Sequence, residues 1–383
     1  MKVLVTGSKG FVGRNMVVIL KRLSNVDVIE YDVDCPESLL IEGLATADVI
    51  FHLAGVNRPE KPEDYEIGNV GFTQKICDQL QSLDRNLTII FSSSIQAMLD
   101  NPYGVSKRRA EEALLNYAKQ TGAQVVIFRM KNVFGKWCRP NYNSVVATFC
   151  HNFARNLPVS ISDRANEVNL VYVDDVCAAM MEAAGLLTSP PKHFVPTSKS
   201  DYAEIVPSFK ITLGVLVDTI NSFRATRSSL QVPAFDDPFV CRLYATYLSY
   251  LEESDFAYGL DMKTDNRGSL AEFLKSASFG QIFVSRTKPG ITRGNHYHHT
   301  KTEKFLVVQG QAVIRFRDIR SDVGDQQSKV IEYRVSGEEF RVVDIPPGYT
   351  HSIENVGEGE LVTLFWANQI FDPEIPDTYF EMV

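Results

Sequence analysis

The sequence predicts an α/β domain with a doubly wound parallel sheet, followed by an all-β barrel domain. Short apolar runs alternate with amphipathic helical stretches over the first two thirds of the chain, an order typical of parallel sheets with right-handed crossovers. Beyond Lys263 short strands and glycine turns replace the helical periods, which is typical of an antiparallel barrel. With 383 residues the chain exceeds a single small core, so we place a boundary near residue 260, between domains 1–260 and 261–383.

Composition and charge narrow the class of protein. The chain is 44% hydrophobic and 22% charged, as soluble globular proteins are. Its net charge of -8 argues against a nucleic-acid partner. No apolar run is long enough to insert in a membrane, and the first residues lead into a glycine loop without a signal-peptide leader. Six cysteines without CxxC pairing indicate reduced thiols, so we expect a cytoplasmic protein.

The α/β part is predicted from apolar runs of strand length and from helical periodicity. The predicted strands are Lys2–Thr6, Asp27–Tyr31, Val49–Leu53, Thr88–Phe91 and Val125–Phe128. The predicted helices are Phe11–Leu23, Thr73–Leu83, Ser106–Gln120, Ile211–Arg224 and Pro238–Glu252.

The barrel part is predicted from short alternating runs between turn residues. The predicted strands are Gln281–Arg286, Lys304–Val308, Ala312–Arg317, Lys329–Arg334, Phe340–Ile345 and Glu360–Ala367.

A glycine triplet follows the first predicted strand and opens the first predicted helix. Gly7 permits a tight turn, Gly10 lets a pyrophosphate approach the backbone, and Gly13 lets helix and strand pack closely. The helix N-terminus, with Phe11 and Val12, then faces the phosphates. This context predicts a dinucleotide site.

The choice between NADH and NADPH stays open at this stage. Asp32 ends the second strand, where a carboxylate would bind the ribose hydroxyls of NAD. Arg14 directly follows the glycine loop and would suit the 2′-phosphate of NADPH.

Tyr103 and Lys107 form a YxxxK pair at a predicted helix start, where positions i and i+4 share a face. A lysine there is expected to lower the pKa of the phenol, which could then exchange a proton with a substrate oxygen near neutral pH. A serine run ends at Ser94 and offers a hydroxyl to the same oxygen. The choice among Ser92, Ser93 and Ser94 is open, because only eight residues separate Ser94 from Tyr103.

These motifs resemble the extended short-chain dehydrogenase/reductases that act on nucleotide sugars. The matching segments are Thr6–Gly13, His52–Gly55, the set Ser94, Tyr103 and Lys107, Arg129–Gly135 and Val171–Asp175. The resemblance implies a Rossmann-type domain, with Leu53, Ala54 and Lys107 beside the cofactor and Asn132 and Arg139 beside the substrate.

Four residues near the C-terminal end have the spacing of a metal site. His296 and His298 are two apart on a predicted strand and so share a face. Glu303 follows after a short turn, and His351 arrives after a Pro-Gly turn. Three imidazoles and one carboxylate suit one divalent first-row metal such as Zn²⁺, Mn²⁺, Fe²⁺ or Ni²⁺. For a redox-neutral reaction we expect Zn²⁺. His299 should face the other way.

The spacing matches both motifs of the cupin family, from Gly290 to Gly310 and from Pro346 to Asn355. This resemblance implies a double-stranded β-helix barrel. Two further segments, 265–272 and 293–297, resemble those of dTDP-4-keto-6-deoxyhexose 3,5-epimerases. Arg267, Glu272 and Arg293 are therefore candidate substrate-binding residues, with surface ion pairing as the alternative. The histidine base of those epimerases corresponds to His296, which cannot be both base and metal ligand.

A reductase followed by a cupin resembles, over nearly the whole chain, a family of bifunctional enzymes of capsule and O-antigen biosynthesis. Residues 137–143 and 243–250 share this resemblance. It implies C3 epimerisation of a UDP-2-acetamido-2,6-dideoxy-4-hexulose by the cupin domain. The reductase domain would then reduce C4 with NADPH to UDP-2-acetamido-2,6-dideoxy-L-talose, toward UDP-N-acetyl-L-fucosamine. A homodimer is also implied.

Two alternatives remain. In the first, the protein only reduces C4 and the cupin domain is structural or binds sugar. In the second, the protein is a non-enzymatic NADP-sensing regulator.

Overall fold

The computed structural model describes residues 1–187, 193–197, 201–319, 329–374 and 376–383. Its contacts divide the chain into two compact units. The first contains residues 1–220 and 245–251, and the second contains residues 221–244 and 252–383. This division follows contacts and not chain order, so the boundary near residue 260 stays a prediction.

The first unit is built on a seven-stranded, mostly parallel sheet of order β2-β1-β3-β4-β5-β9-β8. Among the described strands of this sheet, only the edge strand β8 runs antiparallel to its neighbour. The strands are β1 (Lys2–Thr6), β2 (Asp27–Tyr31), β3 (Val49–His52), β4 (Thr88–Ser94), β5 (Val125–Met130), β8 (Phe194–Pro196) and β9 (Tyr202–Ile205). The predicted doubly wound Rossmann-type sheet is confirmed.

Apolar side chains cover both faces of this sheet, because alternate residues of a strand point to opposite sides. Val3 and Val5 of β1 join the core on one face, and Leu4 joins the core on the other. Continuous burial of this kind is typical of parallel strands between helical layers.

The helices are α1 (Phe11–Leu20), α2 (Glu37–Thr46), α3 (Glu63–Tyr65), α4 (Phe72–Ser82), α5 (Pro102–Thr121), α6 (Val145–Ala154), α7 (Val173–Ala183), α8 (Leu213–Ser229) and α9 (Pro238–Leu248). A π-helical stretch, Glu66–Gly71, precedes α4, and a 3₁₀ turn, Ile95–Met98, follows β4. A small second sheet has the order β10-β7-β6. Its strands are β6 (Asn132–Phe134), β7 (Glu167–Tyr172) and β10 (Phe209–Thr212).

Helix α5 begins four residues before its predicted start. Asn101 caps it by accepting a hydrogen bond from Gly104 N at 2.8 Å, and Pro102 occupies its first position. The earlier start matters because it places Tyr103 in the first helical turn.

The second unit consists mainly of two antiparallel sheets, of order β11-β12-β13-β20-β15-β18 and β17-β16-β19-β14-β21. The strands are β11 (Met262–Asp265), β12 (Gly268–Ser276), β13 (Gly280–Thr287), β14 (Thr292–Tyr297), β15 (Glu303–Gln309), β16 (Gln311–Asp318), β17 (Ile331–Ser336), β18 (Val342–Ile345), β19 (Tyr349–Asn355), β20 (Leu361–Ala367) and β21 (Tyr379–Phe380). Phe305 and Phe365 of one sheet share an apolar core with Ile314 and Ile353 of the other. The predicted antiparallel all-β domain is confirmed, and its architecture is consistent with a cupin-like barrel.

Among the described residues, no helix is both long enough and apolar enough to cross a bilayer.

Candidate active sites

The glycine loop between β1 and α1 requires glycine at two positions. Gly7 has a φ of 70°, and a Cβ there would lie 2.6 Å from the main-chain nitrogen of Ala54. A Cβ on Gly13 would lie 2.0 Å from the carbonyl oxygen of Gly7. A larger residue at either place would therefore displace the loop or the helix.

This loop forms one wall of a cleft of about 840 Å³ in the first unit. Five cationic side chains line the cleft and no acidic one does, among the residues that the structure describes. The cations are Lys9, Arg14, Lys107, Lys131 and Arg139. In a chain with a net charge of -8, such a local excess favours an anionic ligand.

Most of the predicted cofactor residues reach the cleft. Its wall includes Gly7, Gly10, Phe11, Val12, Gly13 and Leu53. Ala54 lies directly behind the loop, against Gly7. Asp32 is placed differently, because its carboxylate accepts hydrogen bonds from the main-chain nitrogens of Lys9 at 2.7 Å and Val33 at 2.8 Å. Asp32 therefore stabilises the loop itself.

Ser94, Tyr103 and Lys107 all line the same cleft. Tyr103 and Lys107 lie one turn apart on α5, and Ser94 ends β4. Lys107 is buried, and its ammonium donates to the carbonyl oxygen of Ser92 at 2.8 Å. Burial lowers the pKa of Lys107 to about 8, although the charge of Glu111 opposes the shift.

The prediction that Lys107 lowers the pKa of the Tyr103 phenol is wrong in this structure. Burial raises the pKa of the Tyr103 phenol, and a hydrogen bond with Ser94 offsets only part of the rise. The Lys107 ammonium is directed instead at strand β4, where it also lies 4.6 Å from the centre of the Phe91 ring.

The contacts of the three serines separate their roles. Ser93 is buried and donates to the carboxylate of Glu111. Ser92 donates to the carbonyl oxygen of His52 at 3.3 Å. Ser94 is the serine whose side chain interacts with Tyr103, which favours it as the third member of the catalytic set.

Two positioning residues escaped the sequence analysis. Buried Asn69 holds Val56 through both main-chain groups, at 2.8 and 3.1 Å, and donates to Ser106 Oγ at 2.9 Å. It thereby ties the cleft wall after β3 to α5. Buried Glu111, two turns beyond Tyr103, forms a bidentate ion pair with Arg129. In the sequence, only the spacing of Glu111 from the YxxxK motif could have pointed to it.

Two predicted substrate residues, Asn132 and Arg139, also line the cleft. The guanidinium carbon of Arg139 lies 5.2 Å from the centre of the Tyr142 ring, and that of Arg58 lies 5.8 Å from it. The ring of Tyr142, which lines the cleft, thus makes cation–π contacts with two guanidinium groups.

The four predicted metal ligands come together in the second unit. His296 lies on β14 opposite His351 of β19, His298 follows the end of β14, and Glu303 begins β15. One ligand atom from each lies within 4.8 Å of the others. His299 is exposed and packs on Tyr379 with 4.9 Å between ring centres, outside this cluster as predicted.

The cluster fits a single divalent ion. Glu303 Oε2 lies 3.4 Å from Nε2 of both His298 and His351. Ligand atoms about 2.1 Å from an ion at tetrahedral angles are about 3.4 Å apart. Both Nε2 atoms are buried without a hydrogen-bond partner among the described residues, which is costly unless another group satisfies them.

The protonation states suit a metal as well. Burial and then the charge of His351 lower the pKa of His296 to about 4. Burial opposes ionisation of Glu303, but its contacts with His298 and His351 hold its pKa well below the ordinary value. A neutral imidazole, as at His296, and an ionised carboxylate, as at Glu303, are the forms that bind a metal.

The other three substrate candidates have different surroundings. Arg267 forms an ion pair with Asp265 at 2.6 Å, and Glu272 forms one with Lys275 at 2.8 Å. Arg293 is half-buried and donates to Thr287 Oγ1 at 3.0 Å. Burial and then the charge of Arg267 lower its pKa. Arg267 and Glu272 thus make ion pairs, which the sequence analysis gave as the alternative to substrate binding.

Each of the two parts of the chain matches a known family. Residues 3–195 match the NAD dependent epimerase/dehydratase family. Residues 263–379 match the polysaccharide biosynthesis C-terminal domain.

Two relatives match along nearly their whole length. The UDP-2-acetamido-2,6-beta-L-arabino-hexul-4-ose reductase of Pseudomonas aeruginosa is 44% identical over 380 residues, 99% of this chain and 98% of the relative. The crystal structure of the capsular polysaccharide assembling protein CapF from Staphylococcus aureus matches with a TM-score of 0.90. Its identity is 46%, and all of both chains is covered.

A more distant structure shares the fold alone. The UDP-glucuronic acid 4-epimerase of Bacillus cereus, in complex with NAD, matches with a TM-score of 0.53 and 17% identity. The match covers 65% of this chain and 98% of the epimerase.

Proposed function

Because the chain belongs to the NAD-dependent epimerase/dehydratase family and is similar to CapF over its full length, we propose that it is a bifunctional nucleotide-sugar enzyme. The first unit reduces a C4 ketone, and the second unit inverts the neighbouring C3 centre. The observation that carries the reductase proposal is the single cleft in which the glycine loop faces Ser94, Tyr103 and Lys107.

Reduction needs a hydride at C4 and a proton on the C4 oxygen. The nicotinamide supplies the hydride when it is bound. Tyr103 is the proton donor, and its raised pKa keeps the phenol protonated at neutral pH. Ser94 interacts with this phenol and would orient the C4 oxygen. Lys107 lines the same cleft, donates to the carbonyl oxygen of Ser92, and would hold the nicotinamide ribose.

The charges of the cleft support a substrate with a diphosphate. The P. aeruginosa relative is named for a UDP-sugar 4-ulose, and we assign this chain the same class, a UDP-2-acetamido-2,6-dideoxy-4-hexulose. Arg58 and Arg139 flank Tyr142, an arrangement that offers two guanidinium groups to phosphate oxygens. Asn132 also lines the cleft.

We propose NADPH as the preferred cofactor. Arg14 lines the cleft beside the glycine loop, whereas Lys9 is paired with Asp34 and the Asp32 carboxylate is engaged with the loop backbone. A cationic side chain there favours a 2′-phosphate. Comparison of kcat/KM for NADPH and NADH tests this proposal. Arg14→Ala should reduce the value for NADPH and leave that for NADH unchanged, and a preference of the wild type for NADH would contradict it.

Epimerisation at C3 must precede reduction. A hydrogen at C3 is acidic only while C4 is a ketone, so the centre is inverted first and fixed by reduction afterwards. His296, His298, Glu303 and His351 would hold one divalent ion, with Zn²⁺ preferred for a redox-neutral reaction. A bound ion supplies a Lewis acid that stabilises negative charge near the C4 oxygen.

The product of the two steps would be UDP-2-acetamido-2,6-dideoxy-L-talose, on the route to UDP-N-acetyl-L-fucosamine for capsule or O-antigen. A homodimer and a cytoplasmic location stay predictions from the sequence.

Incubation with the UDP-4-hexulose in D₂O, followed by NMR, tests both halves. Without NADPH we expect deuterium at C3 and no reduction, and with NADPH we expect the C4 alcohol. Reduction without any C3 exchange would favour the reductase-only alternative, in which the cupin domain is structural. Absence of both reactions, with NADPH still bound, would favour the non-enzymatic regulator.

A further inference from the structure

The last residues of the chain contact every histidine-bearing segment of the metal cluster. We call residues 376–383 the C-terminal strap. Its strand β21 pairs with β14, with Phe380 opposite the ligand His296. The carbonyl oxygen of Glu381 accepts a hydrogen bond from Thr350, the neighbour of His351. The strap therefore touches segments that sequence separates by about fifty residues.

Its closest contact is with His298. The ring nitrogen Nδ1 of His298 lies 2.6 Å from the main-chain carbonyl oxygen of Asp377. A carbonyl oxygen can only accept a hydrogen bond, so Nδ1 must carry the proton. In the neutral imidazole the lone pair is then on Nε2. This Nε2 is the atom that lies 3.4 Å from Glu303 and has no hydrogen-bond partner among the described residues.

The side chain of Asp377 fixes the turn between two ligands. Its carboxylate accepts hydrogen bonds from the main-chain nitrogens of His299, Thr300 and Lys301 at 2.9 to 3.0 Å. These three residues follow His298 in the segment that leads to Glu303. Asp377 also has a left-handed φ of 36°, a conformation that persists where surrounding contacts hold it.

A buried lysine completes the attachment. Lys301 is 8% exposed, and its ammonium donates to Thr378 Oγ1 at 2.8 Å and to the carbonyl oxygen of Pro376 at 3.3 Å. The turn and the strap thus hold each other through main-chain and side-chain bonds in both directions.

We infer that the C-terminal strap is the outer shell of the metal site, and that Asp377 is the positioning residue that presents Nε2 of His298 as the ligand atom. This inference rests on the proposed metal site for its consequence, but the hydrogen bond to His298 exists without the metal. Outer-shell partners that fix the tautomer and orientation of a ligand histidine typically change metal affinity by about 10- to 100-fold.

The first test measures Zn²⁺ affinity of the full-length metal-free protein by competition with a chromophoric chelator. Asp377→Ala should weaken binding by about 10- to 100-fold. The Zn²⁺ affinity of Asp377→Asn should lie between those of Asp377→Ala and the wild type, because its amide offers one acceptor oxygen to the turn. Asp372→Ala is the matched control and should retain wild-type affinity, since Asp372 is exposed and, among the described residues, accepts only from Glu374 N.

The second test reads the tautomer directly and needs no metal. In histidine-labelled metal-free wild type, at a pH where the His298 imidazole is neutral, ¹⁵N shifts should show a protonated Nδ1 and a bare Nε2. In Asp377→Ala they should show a mixture of tautomers. A purely structural strap would lower the melting temperature of the metal-free protein while Zn²⁺ affinity stayed unchanged.

Two results would overturn the inference: wild-type Zn²⁺ affinity in Asp377→Ala, or a protonated Nε2 on His298 in the wild type. If the wild type bound no Zn²⁺ at all, the proposed metal function would fail and the inference with it, whereas a protonated Nε2 beside normal Zn²⁺ binding would remove only the role of the strap. Should Asp377→Ala fail to fold, the wild-type tautomer and Asp377→Asn still decide.

Discussion

At the scale of single residues, Tyr103 is the side chain whose removal should separate the two reactions. Tyr103→Phe keeps the ring and its packing on Tyr65, with 5.7 Å between ring centres, but removes the proton donor. NADPH oxidation with the 4-ketosugar should fall by about 10²- to 10⁴-fold. Deuterium exchange at C3 should continue at the wild-type rate, as measured by NMR in D₂O.

Val105→Ala is a useful control for this variant, because it changes the same helix without removing a hydroxyl. If C3 exchange disappeared together with reduction in Tyr103→Phe, the two sites would not act independently and the division of labour proposed above would be wrong.

His52 should make stability depend on pH. It is fully buried between the hydroxyls of Thr6 and Thr73, at 2.8 and 2.9 Å, and burial lowers its pKa to about 3. The unfolded chain binds this proton near the ordinary value of about 6.5. The contribution of His52 to stability is therefore fully present above pH 6.5 and is lost as the pH falls from there toward 3.

Urea unfolding at pH 7, 6 and 5 measures this effect. His52→Gln should be less stable at pH 7, since it cannot bond both hydroxyls in the same geometry, and its stability should fall less steeply with acid. An equal pH dependence in the variant and the wild type would assign the acid sensitivity to other groups.

At the scale of elements, helix α5 depends on a buried charge pair. Glu111 is 1% exposed and holds Arg129 of β5, with further bonds from Ser93 of β4 and Tyr202 of β9. One carboxylate thus joins three strands to the helix that carries Tyr103 and Lys107. Removing one partner of such a pair leaves an uncompensated charge.

Glu111→Gln should destabilise the protein by about 3 kcal/mol, the low end of the range for buried pairs, because Arg129 keeps a quarter of its side chain exposed. Denaturant unfolding measures this change. Glu112→Gln, at the exposed neighbouring position, should be close to neutral. A double-mutant cycle with Arg129→Gln should recover part of the loss, and full additivity would contradict the coupling.

At the scale of the whole molecule, the two sites lie in separate compact units. His351→Ala should lose Zn²⁺ and C3 exchange. It should retain NADPH-dependent reduction of a ketone that is already epimerised. Metal analysis, exchange in D₂O and absorbance of NADPH measure the three properties separately.

Chelation should also destabilise the wild type, because a ligand that binds only the folded state adds to its stability. The His351→Ala variant should show no chelator effect on melting. Full metal occupancy in this variant would contradict the ligand assignment. Loss of metal with undiminished C3 exchange would make the ion structural and place the epimerisation elsewhere.

Much of this protein follows from local sequence alone. The glycine triplet, the YxxxK pair and the HxH spacing each lie within one turn or one strand, where backbone geometry relates neighbours directly. The doubly wound sheet and the barrel follow from periodicity, and the helix and strand bounds differ from prediction mostly by a few residues.

Tertiary structure decided what depends on distant partners. The direction of the Tyr103 pKa shift depends on burial and on where the Lys107 ammonium points, at Ser92. The use of Asp32 by the loop backbone depends on the sheet order that brings β2 beside β1. The hydrogen bond from His298 to Asp377 joins residues 79 positions apart. Such contacts are set by packing of whole elements, which no local pattern of residues encodes.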